Sequence, residues 1–322
     1  MRHLITLADI TPEEFAWLLK LSMKFKYPHK HLDLPKTVEE YIEVLRDKYV
    51  ALIFEKPSTR TRVSLEVAIR ELHANPIYLN WNELQLGRGE PIRDTVIVLS
   101  RYVDCIVARV KSHETLVEMT RYSRIPIVNA LSDRFHPLQA IADMMTIMEK
   151  KNRLKGVNIA FIGDGGSNVA HSLILASTLV GANINIACPM QYKPLPEVLK
   201  AAENFSKLTG SKVRILEDPL EAVRNVDVVY TDVFVSMGFE HERDIRLRTF
   251  IPKYRVTREL IENAHEDVIF MHCLPARRGE EVTREVIDDP SISVVFDQAE
   301  NRLYTAKAVL IFVMTPSSSL FG

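Results

Sequence analysis

Short apolar runs alternate with stretches of helical periodicity through the first half of this chain. The runs occupy residues 49–54, 76–80, 104–109 and 126–130. Apolar runs of this length, each followed by a helix-like stretch, are typical of parallel strands joined by crossover helices. The sequence therefore predicts a doubly wound parallel sheet in the first half.

A second alternating series follows a helical stretch at 136–151 that ends in charged residues. Its apolar runs occupy residues 157–162, 184–188, 213–216, 226–231, 268–272 and 293–297. The predicted fold class is α/β, with two doubly wound parallel-sheet domains joined by helices. We predict a first domain at 1–135, an inter-domain helix at 136–151, a second domain at 152–302, and a helix at 303–316 that packs back on the first domain.

Composition and charge narrow the class of protein. The 322 residues are 47% hydrophobic and 26% charged with a net charge of -1, which argues against a nucleic-acid or membrane-surface protein and favours small-molecule partners. The three cysteines lack C-x-x-C spacing, so we expect reduced thiols and neither a disulfide framework nor a zinc cluster. With no apolar stretch of about 20 residues, a cytoplasmic protein is expected.

The most informative polar stretch is Ser58-Thr59-Arg60-Thr61-Arg62, between the first apolar run and a helix-like run. A helix start offers free N–H groups and the positive end of the helix dipole, to which hydroxyl and guanidinium donors add. Ser58 and Thr59 alone could be a helix cap. Two neighbouring arginines favour an anion, so the stretch predicts a phosphate pocket.

The other unusual polar residues also follow predicted strands, where ligands bind in open parallel sheets. They are Arg109, His136, Gln139, Asn168, Asp232, Cys273 and, after the last predicted strand, Arg302. Each has a structural alternative: Arg109 as a surface charge, His136 as a helix-start residue, Cys273 as a core thiol.

Cofactor motifs are weak in this sequence. The glycine-rich stretch 163–168 has Asn168 at the third glycine position of G-x-G-x-x-G, and no acidic residue ends the next predicted strand. Nicotinamide binding is therefore disfavoured. No H-E-x-x-H or C-x-x-C pattern predicts a metal site.

Taken in order, these clusters resemble the aspartate/ornithine transcarbamylase family, over about residues 4–314. The stretch 58–62 is similar to its carbamoyl phosphate motif, His136-Pro137-Leu138-Gln139 to its HPxQ motif, and His272-Cys273-Leu274-Pro275 to its HCLP motif. The stretch 232–238 matches the D-x-x-x-S-M-G loop of the members that use ornithine.

The resemblance implies a set of ligands for carbamoyl phosphate. Its phosphate is expected to meet Ser58, Thr59, Arg60, Thr61 and Arg109. Its carbonyl oxygen is expected to meet Thr61, Arg109, His136 and Arg302, and its NH₂ group Gln139 and the Leu274 carbonyl. Cys273 is expected beside the reacting groups, and the catalytic set is Arg60, Arg109, His136, Cys273 and Arg302.

The resemblance also implies the second substrate and the assembly. L-Ornithine is expected to bind Asn168, Asp232, Ser236 and Met237, in an active site in the inter-domain cleft. Gln85 is expected to reach a neighbouring subunit's site, which implies a homotrimer or a multiple of trimers. The implied reaction gives citrulline and phosphate without a metal or organic cofactor. Alternatives are another amine substrate or a non-catalytic binding protein.

Overall fold

The computed structural model describes residues 2–236, 238–316 and 320. The strands, in chain order, are β1 (Tyr49–Phe54), β2 (Asn75–Asn80), β3 (Cys105–Arg109), β4 (Ile127–Leu131), β5 (Asn158–Ile162), β6 (Asn183–Ala187), β7 (Val213–Leu216), β8 (Val228–Thr231) and β9 (Ile269–Met271). The α-helices are α1 (Pro12–Lys26), α2 (Val38–Glu43), α3 (Thr59–Glu71), α4 (Ile92–Leu99), α5 (His113–Tyr122), α6 (Pro137–Lys151), α7 (Asn168–Leu179), α8 (Pro196–Thr209), α9 (Pro219–Val223), α10 (Arg243–Tyr254), α11 (Arg258–Ile261), α12 (Arg284–Ile287) and α13 (Val295–Met314).

The chain divides into two compact units. Unit 1 comprises Met1–Ile141 and Asn301–Gly322, and unit 2 comprises Ala142–Glu300. One division lies inside α6 and the other inside α13. In the part of the chain that the structure describes, no helix is long and apolar enough to cross a membrane.

Unit 1 is built on a parallel sheet with the strand order β2-β1-β3-β4. The two central strands are buried almost throughout, and Ile53 and Ile106 pack against Leu116 of α5. This burial on both faces explains why the sequence shows continuous apolar runs rather than alternation. The carboxyl ends of β1, β3 and β4 consequently lie side by side.

The end of α13 belongs to unit 1. The Lys26 Nζ of α1 donates to the Asn301 Oδ1 at 2.7 Å, and the ring of Trp17 lies 6.0 Å from that of Phe312. Lys307 forms an ion pair with Glu71 of α3. These contacts fix the helix that carries Arg302.

Unit 2 is built on a parallel sheet with the strand order β7-β6-β5-β8-β9. Its core joins Ile162 and Val229 of the central strands to Phe250 of α10, and the ring of Phe234 stacks on Phe250 at 4.9 Å. The carboxyl ends of β5, β8 and β9 are neighbours in this sheet. The structure confirms the predicted class, two parallel-sheet α/β domains.

One predicted strand is wrong. Residues 293–297 were expected to form the last strand, but Val295 begins α13, and only Ser293 forms an isolated bridge, to Phe270. The run Val294-Val295-Phe296 is apolar and contains two β-branched residues, yet in the helix Phe296 is 73% exposed. Arg302 therefore lies within a helix and does not follow a strand. The other predicted strands are present, with ends that differ by at most two residues.

Candidate functional site

The first group of candidate residues, the unit 1 group, follows β1, β3 and β4. Ser58 caps α3 by accepting a hydrogen bond from the Thr61 N–H at 3.3 Å. The Thr61 side chain is buried at the first turn of this helix, and Arg60 is partly buried beside it. The cap interpretation of Ser58 is thus correct, and the same turn directs a buried hydroxyl and a guanidinium to the rim of the sheet.

Arg62 lies elsewhere. Its Nε donates to Glu66 at 2.7 Å, and its guanidinium stacks on the ring of Tyr78 at 3.5 Å. The side chain is 45% exposed. The expectation that two neighbouring arginines share one anion site is therefore wrong for Arg62 in this structure.

Arg302 joins the unit 1 group from α13. Its Nη2 donates to the Thr61 Oγ1 at 2.8 Å, and its Nη1 donates to the Gln139 Oε1 at 3.2 Å. All three residues are at most 5% exposed. Residues that are 241 positions apart in the sequence thus form a single buried cluster.

The electrostatics of the unit 1 group are dominated by arginines. Burial, followed by the positive charges of three arginines, lowers the pKa of His136 well below its usual value. These arginines are Arg302, Arg109 and Arg60. His136 is therefore neutral at pH 7 and can donate or accept through its ring without carrying charge.

The buried arginines also leave binding capacity for an anion. The Arg60 Nε is buried and has no hydrogen-bond partner among the described residues. A buried donor without a partner costs about 1–3 kcal/mol, which an anionic ligand would offset. Positive charge, a helix start and this donor together fit a phosphate.

Gln85 does not join this group. It begins the 3-10 helix Gln85–Arg88 after β2, and its side chain is exposed. Its backbone carbonyl accepts from the N–H groups of Gly89 and Glu90.

The second group, the unit 2 group, follows β5, β8 and β9. Asn168 is the first residue of α7, which Ser167 caps by accepting from the Ala170 N–H at 3.2 Å. Asp232 follows β8, and the Cys273 thiol, after β9, donates to the Asp232 Oδ1 at 3.1 Å. The structure thus brings two of the predicted residues into direct contact.

Asp232 is buried in an unusual way for a carboxyl group. It is 8% exposed, and burial raises its pKa, although His272 and the Cys273 thiol act in the opposite direction. Its Oδ1 also accepts from the Val233 N–H at 2.8 Å. The Asp232–Cys273 pair is therefore a fixed acceptor–donor pair at the ends of neighbouring strands.

His272 sets the backbone around Cys273. Its Nδ1 accepts from the Leu274 N–H at 2.8 Å, so its Nε2 carries the proton and donates to Glu281 at 3.2 Å. His272 and Glu281 are both 0% exposed, and Leu274 has a positive φ of 56°. The Leu274 carbonyl, a predicted ligand, is therefore oriented by a buried pair, of which the sequence analysis missed Glu281.

Among the described residues, one group of side chains could hold a metal ion. It consists of Asp232, His272 and Cys273, whose ligand atoms lie within 4.8 Å of one another. Both ring nitrogens of His272 are already engaged, however, by Leu274 and Glu281. A metal would have to displace one of these bonds.

A further buried cluster, missed by the sequence analysis, supports the loops of unit 2. The Arg246 Nη1 donates to the Asp164 Oδ2 at 2.7 Å and to the Phe234 carbonyl at 3.3 Å, and its Nε donates to Glu242 at 2.8 Å. The Arg246 guanidinium also lies 4.3 Å from the Phe239 ring. Arg246 thus ties the glycine-rich stretch after β5 to the loop after β8.

That loop carries the remaining predicted ligands. The Ser236 Oγ is buried without a hydrogen-bond partner among the described residues. Met237 lies outside the described residues. The sequence signals that could have found the supporting cluster are weak, because Asp164 and Arg246 are 82 positions apart and belong to no common motif.

Comparisons with known proteins agree with this architecture. Residues 2–149 match the family model of the aspartate/ornithine carbamoyltransferase carbamoyl-P binding domain, and residues 155–313 match its Asp/Orn binding domain. The chain therefore belongs to the aspartate/ornithine carbamoyltransferase family, which confirms the resemblance predicted from its motifs.

Individual relatives match over nearly the whole chain. The chain is 50% identical to an ornithine carbamoyltransferase of Hyperthermus butylicus, over 98% of both chains. It is 49% identical to a protein of Pyrococcus furiosus named ornithine carbamoyltransferase, anabolic, over 97% of this chain and 96% of the relative.

Solved structures give the same result. The solved structure of ornithine carbamoyltransferase from Pyrococcus furiosus superposes with a TM-score of 0.88 at 48% identity, over 97% of both chains. An ornithine transcarbamoylase of Giardia lamblia superposes with a TM-score of 0.85 at 35% identity, over 97% of this chain and 98% of that chain.

Proposed function

We propose that this protein is an ornithine carbamoyltransferase, which converts carbamoyl phosphate and L-ornithine to L-citrulline and phosphate. One observation carries the proposal: His136, which follows β4, is buried, and the positive charges of Arg60, Arg109 and Arg302 act on it together. Family membership and the names of the relatives support the choice of reaction.

Unit 1 is proposed to bind carbamoyl phosphate. The α3 start with Ser58, Thr59, Arg60 and Thr61, together with Arg109, binds the phosphate, because N–H, hydroxyl and guanidinium donors suit a dianion. A neutral His136 can donate a hydrogen bond to the carbonyl oxygen, with Thr61, Arg109 and Arg302, while Gln139 accepts from the NH₂ group. Donors aimed at an oxygen that gains negative charge are typically worth about 3–4 kcal/mol each in the barrier.

Unit 2 is proposed to bind ornithine. Asn168, Asp232 and Ser236 recognise the amino-acid head, together with Met237, and the Leu274 carbonyl accepts from the carbamoyl NH₂. Cys273 orients the side-chain amine and forms no covalent intermediate, since its thiol already donates to the Asp232 carboxylate and carbamoyl phosphate is an activated donor.

The chemistry is a direct displacement. The neutral amine attacks the carbonyl carbon, the carbon–oxygen bond to phosphate breaks, and the nitrogen loses one proton. An alkylamine with a pKa of about 10.4 is neutral in roughly one molecule in a few thousand at pH 7, so the enzyme must bind that form or generate it. The arginines stabilise the leaving phosphate as its charge increases.

The test is citrulline formation with an Arg60→Met variant and an Arg62→Met control. The two residues lie on the same helical turn, but Arg62 points to Glu66 and Tyr78. We expect the loss of Arg60 to reduce kcat/KM for carbamoyl phosphate by at least about a hundredfold, and the loss of Arg62 to change it far less. Equal effects of both changes would refute the placement of the phosphate.

A panel of amines separates the remaining alternatives. Carbamoylation of putrescine or an acylated ornithine in preference to L-ornithine would replace the proposed substrate. Binding of carbamoyl phosphate without citrulline formation would favour a non-catalytic binding protein.

Because the Pyrococcus furiosus relative is named anabolic, we place the reaction in arginine biosynthesis. We also propose that the protein is cytoplasmic, which cell fractionation can test.

The assembly is proposed to be a homotrimer, or a multiple of trimers, in which Gln85 enters a neighbouring subunit's site. Support comes from exposed apolar side chains on β1, β2 and α3 of unit 1, namely Tyr49, Val63, Val67 and Ile77. Mixing the inactive variants Gln85→Ala and Arg60→Gly under subunit exchange should restore part of the activity. No recovery in an assembly that light scattering identifies as a mixed trimer would contradict shared sites.

A further inference from the structure

Behind the Asp232–Cys273 pair, unit 2 contains a buried polar network centred on Gln298. The Gln298 Nε2 donates to the Asp143 Oδ1 at 2.7 Å and to the Tyr230 hydroxyl at 3.0 Å. The Tyr230 hydroxyl donates in turn to the Asp143 Oδ2 at 3.2 Å. The three residues, from α13, α6 and β8, are all 0% exposed.

The other end of the Gln298 amide reaches β9. Its Oε1 accepts from the His272 backbone N–H at 3.0 Å. One amide group therefore uses two donor hydrogens and one acceptor oxygen at the same time. Among side chains of this size, an acid lacks the donors and an apolar chain lacks both, so only an amide satisfies all of these partners.

The location of this bond gives it a structural consequence. β9 is the edge strand, and on its outer side Phe270 exchanges hydrogen bonds with the backbone of Ile292 and Val294. The N–H of His272, two residues on, points to the same side because strand residues alternate. The Gln298 side chain accepts the hydrogen bond that a neighbouring strand would otherwise accept, and it thereby fixes the backbone one residue beyond the end of β9.

Cys273 is the residue that this step fixes. Its predecessor His272 is fixed at the backbone N–H by Gln298, and its successor Leu274 is fixed at its N–H by the His272 ring. Between these two fixed points, the Cys273 thiol lies 3.1 Å from Asp232. Loss of the Gln298 bond to the His272 N–H would free the backbone on the N-terminal side of Cys273.

We propose that Gln298 is a positioning residue, which holds Cys273 against Asp232 through the backbone of His272; its effect on catalysis rests on the proposed ornithine site. The residue touches neither proposed substrate. Its role is to keep the thiol and the carboxylate in register with the amine to be carbamoylated.

The first test measures thiol reactivity and does not depend on the proposed function. Cys105 and Cys188 are buried, whereas Cys273 is partly exposed, so alkylation by N-ethylmaleimide under native conditions reports on Cys273, and peptide mass spectrometry verifies the site. Gln298→Met should accelerate alkylation about tenfold, the effect of one lost buried hydrogen bond. A rate within twofold of the unaltered protein, or a slower rate, would overturn the proposal.

Two further variants keep this test decisive if Gln298→Met folds poorly. Tyr230→Phe removes one acceptor of the network but leaves the Gln298–His272 bond, so it should accelerate alkylation by less than Gln298→Met. Thr178→Val is the matched control, because among the described residues this buried hydroxyl of unit 2 donates only to carbonyls of its own helix. Equal acceleration by the control would reduce the effect to general destabilisation and overturn the proposal.

The second test uses the proposed reaction. Gln298→Met should raise KM for ornithine about tenfold and should raise the dissociation constant of carbamoyl phosphate alone by less, since the proposed unit 1 ligands are unaltered and only the Leu274 carbonyl is affected. An unchanged KM for ornithine would overturn the catalytic part of the proposal. If the unaltered protein makes no citrulline, the proposed function fails, and the alkylation rates still decide the positioning role.

Discussion

Replacing Arg246 by methionine should destabilise unit 2 strongly, because it leaves a carboxylate buried without its counter-charge. Asp164 is 6% exposed, and among the described residues its side chain would keep the Gly166 N–H, at 2.9 Å, as a hydrogen-bond donor. Removing one partner of a buried ion pair typically costs about 3–5 kcal/mol. The lost contact with the Phe239 ring adds about 0.5–1 kcal/mol.

The other lost bond contributes little, since the Glu242 side chain is 36% exposed and can be solvated. We therefore expect the free energy of unfolding of unit 2 to fall by about 4 kcal/mol. The matched control is Arg243→Met on the same helix. Its ion pair with Glu280 is partly exposed, so its loss should cost about 1 kcal/mol or less.

Urea unfolding followed by circular dichroism is the appropriate assay. Trp17 and Trp81 both belong to unit 1, so tryptophan fluorescence would report on the wrong unit. Adding Asp164→Asn to Arg246→Met removes the buried charge and should recover about 2 kcal/mol. If Arg246→Met and Arg243→Met agree within 1 kcal/mol, or if the second change recovers nothing, the reasoning about the buried carboxylate is wrong.

Three further predictions concern single side chains. The pKa of His136 is lowered on folding, so below pH 6.5 the unfolded chain binds more protons than the folded one, and unit 1 should lose stability as the pH falls through that range. Urea unfolding followed by tryptophan fluorescence should show a shallower loss for His136→Asn. The pKa of Asp232 is raised on folding, so its pH dependence is opposite: the contribution of this carboxyl group to stability is lost as the pH rises. In urea titrations at pH 7, Asp232→Asn should therefore be at least as stable as the unaltered protein. Its KM for ornithine should rise. Gly165→Ala would place a Cβ 2.9 Å from the Cys188 sulfur and 3.0 Å from the Tyr192 carbonyl, and calorimetry should show a loss of about 1–3 kcal/mol.

The fold was accessible from the sequence because the central strands are buried on both faces. β3 is buried at every position, and such a strand must be a continuous apolar run. The start of α13 could not be predicted in this way. Val294-Val295-Phe296 has the composition of a strand, and a short apolar run alone does not distinguish a strand from a helix. The hydrogen bond that the Val294 N–H donates to the Phe270 carbonyl ends the strand-like pairing just before the helix starts.

Residues of the candidate site divide in a similar way. Arg60, Thr61 and His136 follow strands directly, so the rule that ligands bind at the carboxyl ends of parallel strands identified them. Arg302 was identified by its motif, but its contact with Thr61 depends on how α13 packs in unit 1. A contact across 241 positions has no local signature in a single sequence.

The polar residues that the sequence analysis missed have a physical property in common. Glu281, Arg246 and Gln298 are each at most 4% exposed, and each bonds the backbone of a loop or strand end: Glu281 at Arg277, Arg246 at Phe234, Gln298 at His272. A buried donor or acceptor left without its partner costs about 1–3 kcal/mol, so each bond disfavours every loop conformation that would break it. Loop residues such as Ser236 can therefore have short polar side chains in an ordered loop, because the residues that determine their position lie in the core behind them.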